Sequence, residues 1–365
     1  MAMLLVPLIF IDWHGGKLSE EENRMLATRP PKSLLIESPI IFTEEINAWF
    51  SDNIGFRKGM ITLYKQIDSI EKEGQYQRGD LTFLIGEKGH EYYDYNATLI
   101  SKYQGKPFLT EEELSDLAAN LNEIKEYLDA KCIPMIVMFC TDKETIYPEY
   151  YPKSIMRGPE PIQLDIITDY LKMNTDIDVF NIKQSLLDQK NNYLLYDKAL
   201  GKDGLGNITH YNEMGGFFAY QELMRHINKY LPEIDPFTID DVSILYDKNG
   251  SLIVDLKDDV SYKALANSFS EKLEGLDIEP WRYYNIENEN KDLPNILIMR
   301  DSYISLKYTA MLPEHFSKTG FVHYRYMNRF IEFVEYYNPD IVVFQSAERQ
   351  LRIFSEFIDS NWCNQ

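Results

Sequence analysis

Two short segments carry side chains that could perform covalent chemistry together. Arg300-Asp301-Ser302-Tyr303 follows a continuously apolar run, and Thr209-His210-Tyr211-Asn212 sits in a polar stretch just ahead of a helical pattern. A serine hydroxyl is scarcely ionised at neutral pH, so it attacks a carbonyl only when a base removes its proton. An imidazole with an ordinary pKa near neutrality is suited to that task. Ser302 with His210 therefore reads as a nucleophile and base for acyl transfer. The ordinary alternatives stay open at this level. Asp301 or Ser302 could simply cap a following helix, and His210 could be a surface residue. The other five of the six histidines stand in weaker contexts.

The elements that must position this pair are legible as patterns. Ile133–Phe139, Asn295–Met299 and Ile341–Phe344 are continuously apolar, which predicts strands buried on both faces of a parallel sheet. Leu81–Ile85 predicts a further short strand. Thr110 with Glu113 forms a capping box opening a helix to about Ala130. Helical signals recur at Pro161–Leu171, Met214–Tyr230, Met327–Tyr337 and Glu348–Phe357, and two helices are expected between Thr43 and Lys72. This alternation predicts an open α/β sheet covered on both faces. Ligands then bind beyond the carboxyl ends of the strands. Cys140-Thr141-Asp142-Lys143, Arg300–Tyr303 and Gln345-Ser346-Ala347-Glu348 all fall there. Val242–Leu256, two alternating runs around Asn249-Gly250, predicts a β-hairpin, and about 233–290 reads as an insertion.

Bulk properties narrow the classes. The 365 residues, 44% of them hydrophobic, can bury a large core. With 37 basic against 58 acidic residues the net charge is −21, which opposes nucleic-acid binding. The three cysteines fit neither a zinc pattern nor a disulfide framework, and Cys132 and Cys140 read as buried free thiols. No HExxH, clustered Cys/His or EF-hand pattern predicts a metal site, no phosphate loop is present, and no cofactor is expected. Met1–Ile11 is almost wholly apolar but too short to span a bilayer, which takes about 20 residues. It reads either as a core segment or as the tail of a membrane anchor.

A set of ordered segments resembles the alginate O-acetyltransferases, AlgJ- and AlgX-like, and the related DHHW proteins. ITHYNEMGGFFAYQELM is similar to the segment in which Asp-x-His precedes Trp-Asn and a helix. ILIMRDSY is similar to the strand ending in Asp-Ser-Phe that carries the nucleophile. SEEENRMLATRP, WFSDNIGFRKGMITLY, FLIGEKGHEYYDY, TDKETIYPEYYP and QSAERQL resemble further family segments in the same order. The resemblance implies an SGNH-like three-layer α/β/α sandwich with a mostly parallel sheet, and here a small β-hairpin insertion. Residues 1–32 would be a membrane-proximal segment and linker from a truncated anchor, and 33–365 the SGNH-like domain, working outside the cytoplasm.

It also implies that Ser302 takes up an acetyl group supplied through a membrane-bound O-acyltransferase. His210 then activates a hydroxyl of an exported or capsular polysaccharide. The chain departs from the family at Ile208, where the family has the acid of its triad. Asp142, Asp203, Asp301 and Glu348 are the candidates to replace it. Lys143, Arg300, Tyr211, Tyr303 and Arg325 are the candidates to touch substrate. An acetyl esterase on the same fold, or a non-catalytic glycan-binding subunit of an export complex, are the alternatives.

Overall fold

The computed structural model describes residues 10–13, 15–19, 24–56, 75–78, 81–94, 98–199, 208–246, 252–257, 283–304, 311–359 and 362. The chain divides into two compact units, 1–73 and 74–365. In the first, a helix over Pro39–Asn53 buries Trp49, and the guanidinium of Arg29 lies over both Trp13 and Trp49, 5.4 and 5.5 Å from the ring centres. The helix ends just where Asn53-Ile54-Gly55 interrupts the apolar periodicity. The second helix expected before Lys72 lies outside the described residues. Among the described residues, no helix is long and apolar enough to cross a membrane.

The second unit carries the predicted α/β architecture. Its strands are β1 (Gln75–Arg78), β2 (Leu81–Ile85), β3 (Glu91–Asp94), β4 (Met135–Cys140), β5 (Asp178–Asn181), β6 (Val242–Tyr246), β7 (Leu252–Leu256), β8 (Tyr283–Glu287), β9 (Asn295–Arg300), β10 (Lys318–His323) and β11 (Ile341–Ala347). The central sheet runs β8-β10-β9-β11-β4-β5. Every pairing in it is parallel except that of β8, which runs antiparallel at one edge. Strands β1–β3 form a separate antiparallel sheet, and β6–β7 is the expected hairpin, whose turn lies outside the described residues.

The helices are α1 (Glu111–Asp129), α2 (Gln163–Asn174), α3 (Lys183–Gln189), α4 (Glu213–Ile227), α5 (Phe330–Tyr337) and α6 (Leu351–Phe357). Thr110 caps α1 as its sequence predicts. Its hydroxyl accepts from the Glu113 N–H, and the Glu113 carboxylate accepts from the Thr110 N–H. Alternation along β4 shows why its run is unbroken. Ile136, Met138 and Cys140 pack on one side with α3 and α4, while Met135, Val137 and Phe139 pack on the other with α1, α2, α5 and α6. Both faces are dry, so both sets of side chains must be apolar. The result is a three-layer α/β/α sandwich.

Two expectations change. Cys140 is buried but Cys132 is exposed, because it lies in the turn joining α1 to β4 rather than in the strand. The helix expected from Met327 begins as a 3-10 turn over Tyr324–Arg329 and becomes α-helical only at Phe330.

Candidate functional site

Strands β4, β9 and β11 lie side by side and end together, delivering Thr141-Asp142, Asp301-Ser302-Tyr303 and Glu348-Arg349 to one edge of the sheet. The segment 208–212 reaches the same edge from the start of α4. Asn212 caps that helix, its side-chain carbonyl accepting from the Gly215 N–H at 3.1 Å. The Asn212 backbone N–H donates to Leu195 O and its amide to Leu194 O, both at 2.8 Å. Gly215 permits this close approach, since a Cβ there would lie 2.6 Å from Leu195 O and 2.5 Å from Tyr211 Cβ.

Ser302 and His210, 92 residues apart in sequence, meet here. Ser302 Oγ lies 2.8 Å from His210 Nε2. Ser302 is exposed and His210 half-buried, so a reactant in solvent can reach the hydroxyl. On the far side of the ring, His210 Nδ1 lies 2.7 Å from Thr209 Oγ1. Burial, reinforced by the nearby Arg349 cation, lowers the His210 pKa to about 3. The imidazole is thus held as a free base. The turn carrying Ser302 is clamped by Asp301, whose carboxylate accepts from the Tyr303 N–H at 2.8 Å and the Ala347 N–H at 2.6 Å. Residues 305–310, where a helix behind Ser302 would run, lie outside the described residues.

Beneath the pair lies a buried charge cluster. Asp142 accepts from Lys102 Nζ at 2.6 Å and Tyr303 OH at 2.7 Å, and pairs with Arg349 Nη1. Lys102 also pairs with Glu144 and approaches Glu348 at 3.7 Å. Glu348 accepts from the Asp142 N–H at 3.0 Å and from the Thr145 hydroxyl. Burial alone would raise the Asp142 pKa, but Lys102 and Arg349 outweigh it and hold the group at about 2. Glu144 goes the other way, to about 7. Burial is the largest cause of the rise; Lys102 pulls the other way, and the charges of Asp142 and Glu348 add to the rise. Arg349 Nη1 also donates to Thr209 O at 2.7 Å, tying the cluster to the residue before His210. A water-sized cavity of about 20 Å³ lies against Asp142, Thr209 and Arg349.

The candidates for the missing acid thus fall into clear positions. Asp142 is engaged by Lys102, Arg349 and Tyr303; Asp301 by two backbone N–H groups; Glu348 by Thr145 and the Asp142 backbone. Asp203 lies outside the described residues.

Of the expected substrate contacts, Arg325 is exposed, but Lys143, Arg300, Tyr211 and Tyr303 are buried in the protein. The Lys143 ammonium donates to the carbonyls of Glu91, Asp197 and Lys198 at 2.7–2.8 Å, and burial lowers its pKa to about 7. The Tyr303 ring lies 4.6 Å from the His210 ring and 4.8 Å from the Arg349 guanidinium, packed at 82° to Tyr211. Lys102, Glu144, Thr209 and Arg349 contribute to the site without a signal in the sequence patterns above. Arg349 stood in the open, in QSAERQL immediately after a buried strand. Lys102 lies in a polar stretch with no pattern to single it out.

No protein-family model matches the chain, and no curated protein matches it in sequence. Solved structures do match its fold. Bacillus cereus PatB1 with a sulfonyl adduct aligns with a TM-score of 0.52 at 14% identity, over 74% of this chain and 95% of that one. A DHHW family protein from Eubacterium siraeum aligns with a TM-score of 0.52 at 12% identity, over 78% and 96%. The O-acetyltransferase domain of Pseudomonas putida AlgJ aligns with a TM-score of 0.44 at 14% identity, over 74% and 92%. PatB1 and the DHHW family protein thus share the fold of this chain, a three-layer α/β/α sandwich on a mostly parallel sheet.

Proposed function

We propose that this chain is a serine acyl-transfer enzyme, a polysaccharide O-acetyltransferase that works outside the cytoplasm. The observation that carries the reading is the 2.8 Å approach of an exposed Ser302 hydroxyl to His210 Nε2 at the carboxyl edge of a parallel sheet. In the first half-reaction Ser302 Oγ attacks the carbonyl carbon of an acetyl donor while its proton passes to Nε2. The tetrahedral intermediate collapses as the leaving group takes that proton, leaving acetyl-Ser302. In the second, a sugar hydroxyl gives its proton to Nε2 and attacks the acetyl ester. The Ser302 oxygen leaves and recovers the proton. The Ser302 backbone N–H is the donor we assign to the developing oxyanion.

The donor is expected to arrive from a membrane-bound O-acyltransferase, and residues 1–32 are proposed as the membrane-proximal part of the chain. The experiment that tests the reading offers the protein an activated acetyl ester together with neutral and uronic-acid oligosaccharides. Acetylated sugar is then measured against free acetate. Transfer to sugar that is lost in Ser302→Ala supports the transferase. Release to water alone makes the protein an esterase. No turnover of either kind, with Ser302→Ala indistinguishable from the parent, overturns the enzyme reading and leaves a glycan-binding subunit.

A further inference from the structure

Strand β11 ends in Gln345-Ser346-Ala347, followed at once by Glu348-Arg349, and this short stretch touches both halves of the reacting pair. On the nucleophile's side, the Ala347 N–H donates to the Asp301 carboxylate at 2.6 Å, and the Gln345 side-chain carbonyl accepts from the Asp301 N–H at 3.1 Å. Arg349 reaches further. Its Nη1 pairs with Asp142 Oδ1, donates to Tyr303 OH at 3.0 Å and donates to Thr209 O at 2.7 Å. Tyr303 follows Ser302, and Thr209 precedes His210. One nitrogen thus joins the segment of the nucleophile to the segment of the base, across the 2.8 Å between Ser302 Oγ and His210 Nε2.

The guanidinium is placed for these contacts rather than for its own satisfaction. Asp142 Oδ1 also accepts from Tyr303 OH at 2.7 Å, while Lys102 Nζ donates to Oδ2 at 2.6 Å. Asp142 is therefore anchored from its other oxygen and gives Arg349 a fixed counter-charge. The Arg349 side chain is only 11% exposed, and among the described residues its buried Nε has no hydrogen-bond partner. An unmade buried donor costs stability. Replacing a buried ion pair by apolar side chains is often neutral or stabilising, so stability alone does not account for this arginine.

We infer that Arg349 is a positioning residue for the Ser302–His210 pair, bracing the turn of the nucleophile against the segment of the base through Tyr303 OH and Thr209 O. This rests on the proposed roles of Ser302 and His210. The brace acts on the Thr209 backbone and on Tyr303, so it does not depend on what meets the far side of the His210 ring. Its effect on rate follows from geometry, since a misplacement of about 1 Å can cost about a hundredfold.

Two substitutions and a rescue test this in the full chain. Arg349→Ala removes the guanidinium, whereas Arg349→Lys keeps a cation beside Asp142 but ends one bond short of Nη1. The first readout is the rate at which an aryl sulfonyl fluoride adds to Ser302, followed by intact mass. Slowing of about thirtyfold to a hundredfold is expected in Arg349→Ala, and of at least about fivefold in Arg349→Lys. Free guanidinium ion, kept below the concentration that lowers the parent's melting temperature, should restore Arg349→Ala saturably to within about fivefold of the parent. Ammonium ion at the same concentration supplies charge without the planar fork and should restore less than about twofold. The second readout needs no reactive serine. The 15N–1H correlations of the His210 ring, identified by their loss in His210→Gln, should shift in Arg349→Ala and return with guanidinium.

A parent-like rate in either variant would overturn the inference. So would a loss in Arg349→Ala that guanidinium leaves unrepaired, or that ammonium repairs equally, because packing or charge alone would then be at work. If Arg349→Ala does not fold, Arg349→Lys decides: slow modification at a parent-like melting temperature supports the brace. The two readings fail separately. If Ser302 never reacts in the parent while the ring signals still follow the guanidinium, the transfer reaction falls and the positioning stands. If Ser302 reacts equally fast in the parent and in Arg349→Ala, the positioning falls and the nucleophile stands.

Discussion

At the scale of single residues, protonation states decide what the site can do. His210 is pressed towards the neutral form first by burial and then by the Arg349 cation, to a pKa of about 3 against an ordinary 6.5. Its Nε2 thus stays available through the range in which an exposed histidine loses activity. Sulfonyl fluoride modification of Ser302 is expected to be nearly flat from pH 7.5 down to about 5. A fall centred near 6.5 would contradict this. The same shift has a cost in stability. A histidine with a folded-state pKa below its unfolded value opposes protonation, so stability falls as pH drops from 6.5 towards 3. His90 and His315, each buried and lowered to about 4, act in the same direction.

Glu144 has the opposite sign: its folded pKa of about 7 lies above its ordinary 4.5. Ionising it therefore destabilises the fold progressively as pH rises from about 4.5 through 7. Glu144→Gln removes that penalty, and its melting temperature relative to the parent should rise between pH 5 and pH 8. A difference independent of pH would contradict the raised pKa.

At the scale of elements, the site depends on how closely α4 approaches the 194–195 backbone. Gly215→Ala introduces a Cβ that meets Leu195 O and Tyr211 Cβ at 2.6 and 2.5 Å, so the start of the helix must move. We expect a stability loss of about 1–3 kcal/mol in urea unfolding, together with slower modification of Ser302, because the 208–212 segment moves with it. An unchanged reaction rate would show that the segment is held independently of α4.

The elements read from sequence were those with strong local signals. These include the three buried parallel strands, the Thr110 capping box and the β6–β7 hairpin. Strands β5 and β10 were missed. β5 is only Asp178–Asn181, with polar residues at both ends, and β10 contains Gly320, so neither shows a continuous apolar run. Their identity as strands comes from pairing with β4 and β9, which is tertiary information.

At the scale of the whole molecule, the parallel sheet brings together groups that sequence holds far apart. Ser302 and His210 could be singled out because each lies beside a strong element and because their segments resemble family segments in the same order. The cluster of Lys102, Asp142, Glu144, Glu348 and Arg349 was not legible as a unit. Its members come from three places in the chain, and only burial makes their mutual charges matter. Ile208, the departure from the family pattern, is buried in the interior. The Thr209 hydroxyl, one residue on, lies 2.7 Å from His210 Nδ1, a contact that no motif describes.

The central claim is that Ser302 is a nucleophile activated by His210. Its most direct test is intact-protein mass after exposure to an activated acetyl ester, with Ser302→Ala and His210→Ala alongside. One added acetyl group is expected on the parent, none on Ser302→Ala, and labelling slowed by at least about a hundredfold in His210→Ala. Equal acetylation of the parent and Ser302→Ala, or none of the parent, would contradict it.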